Sequence, residues 1–382
     1  MGIGIELGCQ IYNPGTGGVP LGNFWGNLEN LDSYEHTIGA RFGFESMRAN
    51  KGADIDEALE WLANGLMRAI VVYSPDAEVI WEGYCHTIDA DLGQERRSVS
   101  LDGMANRVTV RYIDSHGVQS TTAQASNAAS QSLYGVKDAV VGLGTIASAA
   151  ATNARDVYLA THQNPVARFG SSVISGGMGS IRLALTFAGW YDTLKWVLTS
   201  RTSTTSTSTT TQVGDLINTA GVGIGVTNPF LSALTTKITA SGISDTEFIA
   251  PNTPYLSKIE TLLSQGNSGG ARLAWGVYAN RVFVVNQWAG ASPSTITYHR
   301  LLGDAALYDS NAGRVAPWNV RPDTMYQTDE LLDLAPVATA QDSAARFYVE
   351  RVTFSASSGN IGVKLEPSND DSISALLARL GG

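Results

Sequence analysis

Residues 71–92 read VVYSPDAEVIWEGYCHTIDADL, and between Trp81 and Asp91 they bring together Glu82, Cys85, His86, Asp89 and Asp91. A thiol, an imidazole and three carboxylates so close in sequence could be a catalytic cluster or a piece of architecture. The spacing decides. MRAIVVY (67–73) reads as a strand, SPDA (74–77) as a turn with Pro75 at its second position, and EVIWEGYCHTI as the returning strand. Successive side chains of a strand face opposite ways. Val79, Trp81, Gly83, Cys85 and Thr87 then share one face, and Ile80, Glu82, Tyr84, His86 and Ile88 share the other. Cys85 and His86 point apart and cannot act as nucleophile and base. Glu82 and His86 share a face but are separated by about 13 Å of strand. What remains is a hairpin with two partly apolar faces, suited to a core inside and a neighbouring subunit outside. Trp81 is the expected core anchor, and Gly83 leaves room beside it.

Working outward, ADIDEALEWLANG (53–65) reads as a short helix. Asp54 is the N-cap with Glu57 three residues on, Ile55, Leu59, Leu62 and Leu66 follow helical spacing, and Gly65 supplies the stop. HTIGARFGFESM (36–47) reads as a first strand, and SVSLDGMANRVTVRYID (98–114) as further strands. TIASAAATNARDVYLATHQNP reads as a helix ending before Pro165, with Ala147, Ala150, Ala151 and Ala154 as a small-residue face. TSRTSTTSTSTTTQ (199–212) is either a flexible polar loop or a β-rich surface hairpin. VGDLINTAG (213–221) and YLSKIETLLSQG (255–266) read as helices, and ARLAWGVYANRVFVVNQW (271–288) as a hairpin turning at ANR. Strands are expected around Ile296–Leu302, at Arg346–Phe354 and in GNIGVKLEP (359–367). Ile373, Leu376, Leu377 and Leu380 make one apolar stripe of a terminal helix.

The expected class is a β-rich α+β chain of small antiparallel barrel or sandwich domains with a few short helices. The expected parts are an irregular N-terminal arm (1–30), a β-barrel-like domain with one helix (31–115), and an Ala/Ser/Gly-rich helical connector (116–165). A second α+β domain (166–340) carries the 199–212 tract, and strands with a terminal helix (341–382) close the chain. Phe24 and Trp25 are placed to anchor the arm on a neighbour.

Composition narrows the function. The chain of 382 residues can bury a sizeable core. Charged residues are only 16%, below the roughly 25% usual for soluble domains, as suits large buried contacts. A net charge of −10 without a Lys/Arg run longer than Arg96–Arg97 argues against nucleic-acid recognition. Two cysteines, Cys9 and Cys85, make no disulfide framework. The first residues lack the basic and apolar regions of a signal peptide, and no apolar run is long enough to span a membrane.

Chemical motifs are weak. QGNSGGA (265–271) contains G-x-S-x-G around Ser268. A nucleophile elbow needs a strand before and a helix after, and here the predicted order is reversed. None of His36, His86, His116, His162 and His299 sits in a protease-like string. Metal-ligand spacings are absent. DADLG (89–93) starts like a calcium loop, but its twelfth position is Ser100. AGVGIGVTNP (220–229) is not a dinucleotide loop. The expectation is no enzyme, no cofactor and no metal.

The order of parts resembles tail proteins of long-tailed bacteriophages, of the baseplate-hub and distal-tail-associated type. The resemblance rests on Trp81 with Gly83, on Asn106–Arg107–Val108 with Val110 and Tyr112, and on Tyr134–Gly135 leading into a helix. RLAWGVYANRVFVV, APWNVRPDTMYQTDELL (316–332) and VERVTFSASSGNIGVKLEP extend it into the second half. It implies a virion component assembled in the host cytoplasm: a homo-oligomeric hub or ring, trimeric in hubs and sixfold in distal rings. Its implied partners are other tail and baseplate proteins, with neither sequence-specific nucleic acid nor a membrane span. Two other readings stand beside it. Trp288, Trp318 or Tyr326 could stack on sugars in a receptor- or glycan-binding protein, and Ser268 could serve a hydrolase.

Overall fold

The computed structural model describes residues 8–12, 28, 31–39, 41–73, 79–93, 95–171, 181–218, 238–270 and 272–287, with strand segments between 306 and 367. In chain order the elements are β1 (Gly8–Tyr12), β2 (Leu31–Gly39), β3 (Arg41–Gly52), α1 (Ile55–Asn64), β4 (Ala69–Tyr73), β5 (Val79–Asp91), β6 (Glu95–Ser100) and β7 (Arg107–Ile113). Then come β8 (Gln119–Thr121), β9 (Ala125–Ser126), α2 (Ala128–Tyr134), β10 (Asp138–Thr145), α3 (Ser148–His162), β11 (Val166–Ser171) and β12 (Arg182–Gly189). After a 3-10 turn at Trp190–Lys195 come β13 (Leu198–Ser208), α4 (Thr209–Asn218), β14 (Ser244–Pro254), α5 (Tyr255–Leu263), β15 (Leu273–Tyr278) and β16 (Val282–Gln287). β17 (Ala306–Asp309) pairs with β18 (Arg314–Pro317), β19 (Val337–Thr339) with β20 (Asp342–Phe347), and β21 (Val349–Ser357) with β22 (Asn360–Pro367).

The chain is β-rich α+β. One large sheet carries the fold: β1-β4-β5-β12-β3-β2-β21-β22, with β6 and β11 continuing from β5, and with β15 and β16 joining at β3. Among the described residues this sheet does not close into a barrel. Its strands come from three of the expected segments, 31–115, 166–340 and 341–382, and from Gly8–Tyr12 within the expected arm. A smaller sheet, β10-β7-β8 with β9 on β7, stands beside it. Its β10 runs parallel to β7, so the stretch 116–165 holds strands as well as helices.

The hairpin of β4 and β5 forms, but β5 does not keep strict alternation. Val72 pairs Trp81 while Tyr73 pairs Val79, leaving Ile80 as an extra residue. Thr186 pairs Thr87 while Phe187 pairs Cys85, leaving His86 as another. Each bulge shifts the facing of the neighbouring residues along the strand. Ile80 therefore joins Trp81 in the main core, and Ile88 joins Cys85 there instead of facing away. The expected two-face assignment is corrected at both points. Trp81 is fully buried, and a Cβ on Gly83 would meet the Ala188 carbonyl oxygen at 2.2 Å and Trp81 Cη2 at 2.4 Å.

Two further expectations change. Residues 36–47 are not one strand but the meeting of β2 and β3, which pair antiparallel. In α1, the Glu57 amide donates to Asp54 Oδ1 at 2.7 Å, as expected of the cap, but the Glu57 carboxylate bonds Lys51 Nζ instead of reaching back. The helix buries Ala58 and Trp61, while Ile55 and Leu59 are 44% and 40% exposed. Gly65 keeps a right-handed φ of −77°, and the positive φ of 64° falls on Met67.

The 199–212 tract divides between β13, paired with β14, and the first turn of α4. There Thr209, Thr210 and Gln212 are buried, and Thr209 Oγ1 meets Ser241 Oγ at 2.7 Å. Helices α3 and α5 and the β15–β16 hairpin occur where the periodicity places them, with Ala151 the buried residue of α3, whereas α4 starts at Thr209, four residues before the expected Val213. Phe24, Trp25, His299, the 296–302 strand and the terminal stripe at Ile373–Leu380 lie outside the described residues.

Candidate functional site: a polar joint between the sheets

The side of β5 away from the Trp81 core packs on a second apolar cluster that includes Trp190, Leu194 and Trp196, and carries Glu82, Tyr84 and His86, the polar half of the opening stretch. Each goes to a different segment. Glu82, buried, accepts from Arg281 Nε at 3.3 Å, and Arg281 lies 4.2 Å above the Trp190 ring. Burial pushes the Glu82 carboxyl up, with Arg281 opposing. Tyr84 donates to Asp192 Oδ2 at 2.6 Å, and burial raises its phenol well above the ordinary value. His86 Nδ1 meets Thr87 Oγ1 at 3.1 Å, and His86 Nε2 lies 3.6 Å from Asp102 Oδ1. Burial lowers the imidazole, against the pull of Asp102 and Asp192. On the opposite side, burial among apolar groups pushes the Cys85 thiol far above its usual range. That sulfur is no nucleophile.

From Asp192 the network continues. Burial alone would raise the Asp192 carboxyl, but Lys195, Tyr84 and His86 outweigh it and hold it below the ordinary value. Trp196 Nε1 donates to Asp192 Oδ2 at 3.3 Å, and Lys137 Nζ lies 3.7 Å above the Trp196 ring. Lys137 is 5% exposed, and burial lowers its ammonium from 10.5 to about 8, with Asp192 and Asp102 opposing.

Next to Lys137 the residues of the NR and YG motifs meet. Asn106, fully buried, donates from Nδ2 to the Gly135 carbonyl at 2.7 Å and to Ser130 Oγ at 3.2 Å. Its Oδ1 accepts from the Lys137 amide at 2.8 Å. Arg107 holds Asp138 with two parallel bonds, Nε to Oδ1 and Nη2 to Oδ2, the second at 2.6 Å. Such a fork is the strongest ion-pair geometry. Asp138 Oδ2 also accepts from the Leu198 amide at 2.9 Å, and the Asp138 amide donates to the Trp196 carbonyl at 2.8 Å. Gly135 makes the turn with φ 76° and ψ 172°, a region glycine alone enters easily. Ser130 Oγ donates to the Gln163 carbonyl at 2.5 Å, tying in the end of α3.

The network thus runs from β5 through the 190–198 turn into β7, α2, β10 and α3. The structure brings Asn106, Arg107, Tyr134 and Gly135 to this joint. Trp81 and Gly83 sit elsewhere, in the large-sheet core. Tyr112 packs with Val110 and Ala151 under α3. Sequence reasoning missed Tyr84, Lys137, Asp138, Asp192 and Trp196. One signal was present: Lys137 and Asp138 are the only Lys, Arg, Asp or Glu between Asp114 and Arg155. An isolated charged pair in an Ala/Ser/Gly stretch has a reason to be there.

The joint resembles an active site in its shifted titrations, but its groups are packed against each other. Ser268 lies in the turn from α5 to β15, with its amide on the Ser241 carbonyl at 2.8 Å. Among the described residues no histidine bonds to it, and no group of three or more His, Cys, Asp or Glu side chains is placed to hold a metal ion. No described helix is long and apolar enough to cross a membrane.

No protein-family model matches the chain, and no curated protein matches it, so no catalytic family is indicated. Among solved structures it is similar to a tail protein from Neisseria meningitidis MC58, with a TM-score of 0.44 and 9% identity over 96% of this chain and 97% of that one. It is also similar to prophage tail protein gp18 from Listeria monocytogenes EGD-e, with a TM-score of 0.38 and 11% identity over 98% of each. At that depth the likeness carries no residue role across, and function has to be argued from this chain's own residues.

Proposed function

We propose that this chain is a structural component of a bacteriophage tail. It forms an oligomeric hub or ring at the tail tip or baseplate, joins the tail tube to distal parts, and lets DNA pass. The observation that supports this reading is the joint. Asn106, Arg107 and Gly135, which carry the resemblance to tail hubs, brace β7 against α2 and β10. The neighbouring Lys137 and Asp138 meet Trp196 and Leu198, from which Asp192 reaches Tyr84 of the large sheet. Rigid coupling of two layers is what a ring segment under mechanical stress needs. A net charge of −10 suits a wall along which DNA slides without sticking.

Light scattering and negative-stain imaging of the purified chain, alone and mixed with its neighbouring tail proteins, test the proposal. A ring-shaped oligomer that enters tails is expected. A monomer that never joins a tail particle refutes it.

A further inference from the structure

Eight strands of the large sheet form one unbroken run, β11-β6-β5-β12-β3-β2-β21-β22. All seven pairings in it are antiparallel. Among the described residues, β11 pairs only with β6 and β22 only with β21. Among the described residues, both ends of the run therefore present an edge with no partner strand, which natural proteins normally cover or blunt.

The β11 end is also apolar. Phe169 is 76% exposed on this strand, with the Arg97 guanidinium 5.9 Å from its ring. Beside it, Ile55 and Leu59 of α1 line an open groove of about 510 Å³ with Leu92, Glu95 and Arg97. Phe169 pairs with Arg97 and Ala167 with Val99, which packs on the main core. The exposed ring therefore continues the sheet's core-facing side. At the far end, register puts Ile361 opposite Ala356 and Val363 opposite Phe354, the latter of each pair a buried core residue. Both open edges thus present apolar positions on the same side of the sheet.

We infer that β22 of one copy of this chain pairs with β11 of the next, so that the large sheet runs on from subunit to subunit. This rests on the ring reading and gives it a surface. With eight antiparallel strands, β11 and β22 run in opposite directions. Rotation about an axis along the strands preserves strand direction, so the new pair is antiparallel like the other seven. The contact is heterologous and closes into a ring when the rotation divides a full turn. Exposed Arg168, which has no ion-pair partner among the described residues, lies on the edge that would receive Glu366, a complementary charge.

The full chain carrying Cys9→Ser, Arg168→Cys and Glu366→Cys tests the contact, together with Phe169→Glu in the native background. Oxidation is expected to give disulfides between copies, from dimers up to the closed oligomer. Phe169→Glu is expected to reduce the mass measured by light scattering to that of one chain while leaving the far-UV circular dichroism of the folded chain unchanged, because the side chain is exposed. An oligomer that survives Phe169→Glu and forms no such cross-link overturns this contact but not the ring. A native chain that stays monomeric at every concentration and with its tail partners overturns both.

Discussion

Asn106→Ala is the sharpest test of the joint. The substitution removes one side chain and orphans two backbone groups: the Gly135 carbonyl, bonded at 2.7 Å, and the Lys137 amide, bonded at 2.8 Å. A buried polar group left without a partner costs about 1–3 kcal/mol. Asn106 is 0% exposed, which leaves little room for water to replace it. Two orphaned groups, with the small cavity left behind, put the loss at about 4 kcal/mol. Asn50→Ala is the matched control. Asn50 Nδ2 donates to Ser33 Oγ at 2.7 Å, but the site is exposed, and a surface change of this kind stays within about 0.5 kcal/mol. Urea unfolding followed by tryptophan fluorescence measures both, because Trp196 adjoins the joint. If Asn106→Ala costs less than about 1 kcal/mol, close to the surface control, the Asn106 bonds are not what braces the small-sheet side of the joint.

The same geometry fixes three further outcomes. In Lys137, burial lowers the folded ammonium below its ordinary value, so the protonated form is penalised only in the folded state. The destabilisation is full below about pH 8 and is relieved as pH rises from about 8 to 10.5. That gap, at about 1.4 kcal/mol per pH unit, makes the gain on the order of 3 kcal/mol. Lys137→Met should remove this rise from urea titrations over that range, and an unchanged rise contradicts the assignment to Lys137. Gly83→Ala should destabilise by about 1–3 kcal/mol, read as a lower thermal midpoint, since its methyl must enter space held by the Ala188 carbonyl and the Trp81 ring. In a Cys9→Ser background, Cys85 should resist a thiol reagent until urea unfolds the chain, because the group is fully buried with a raised thiol. Prompt labelling of the folded chain would contradict that placement.

Much of the fold is legible because local signals agree with it. The Asp54 cap, the α5 periodicity and the β15–β16 hairpin each depend on a few neighbouring residues, and each forms where those residues place it. The sheet order is not legible. β12 lies between β3 and β5 although 90 residues separate its start from the end of β5, and nothing local encodes such a pairing. The 36–47 stretch shows the other limit. No polar cluster in the sequence separates β2 from β3, so HTIGARFGFESM reads as one run. The site was partly legible. Asn106, Arg107 and Gly135 stand in recognisable short motifs, whereas Asp192 and Trp196 arrive from 86 and 90 residues after Asn106 and belong to the joint only through tertiary contact.

The opening stretch shows why a cluster of reactive residue types is poor grounds for catalysis. Period-two reasoning separates Cys85 from His86, and the structure places a bulge at His86 itself. There His86 bonds Thr87 and lies beside Asp102, while Ile88 joins Cys85 in the main core. Without the bulges, one face of β5 would present Ile80 and Ile88 among Glu82, Tyr84 and His86, mixing apolar and charged groups in the joint. With them, the strand delivers Trp81, Cys85 and Ile88 to one core and Glu82, Tyr84 and His86 to three separate polar anchors. The irregularity that defeats a simple sequence reading is what lets one strand serve an apolar core and a polar joint at once.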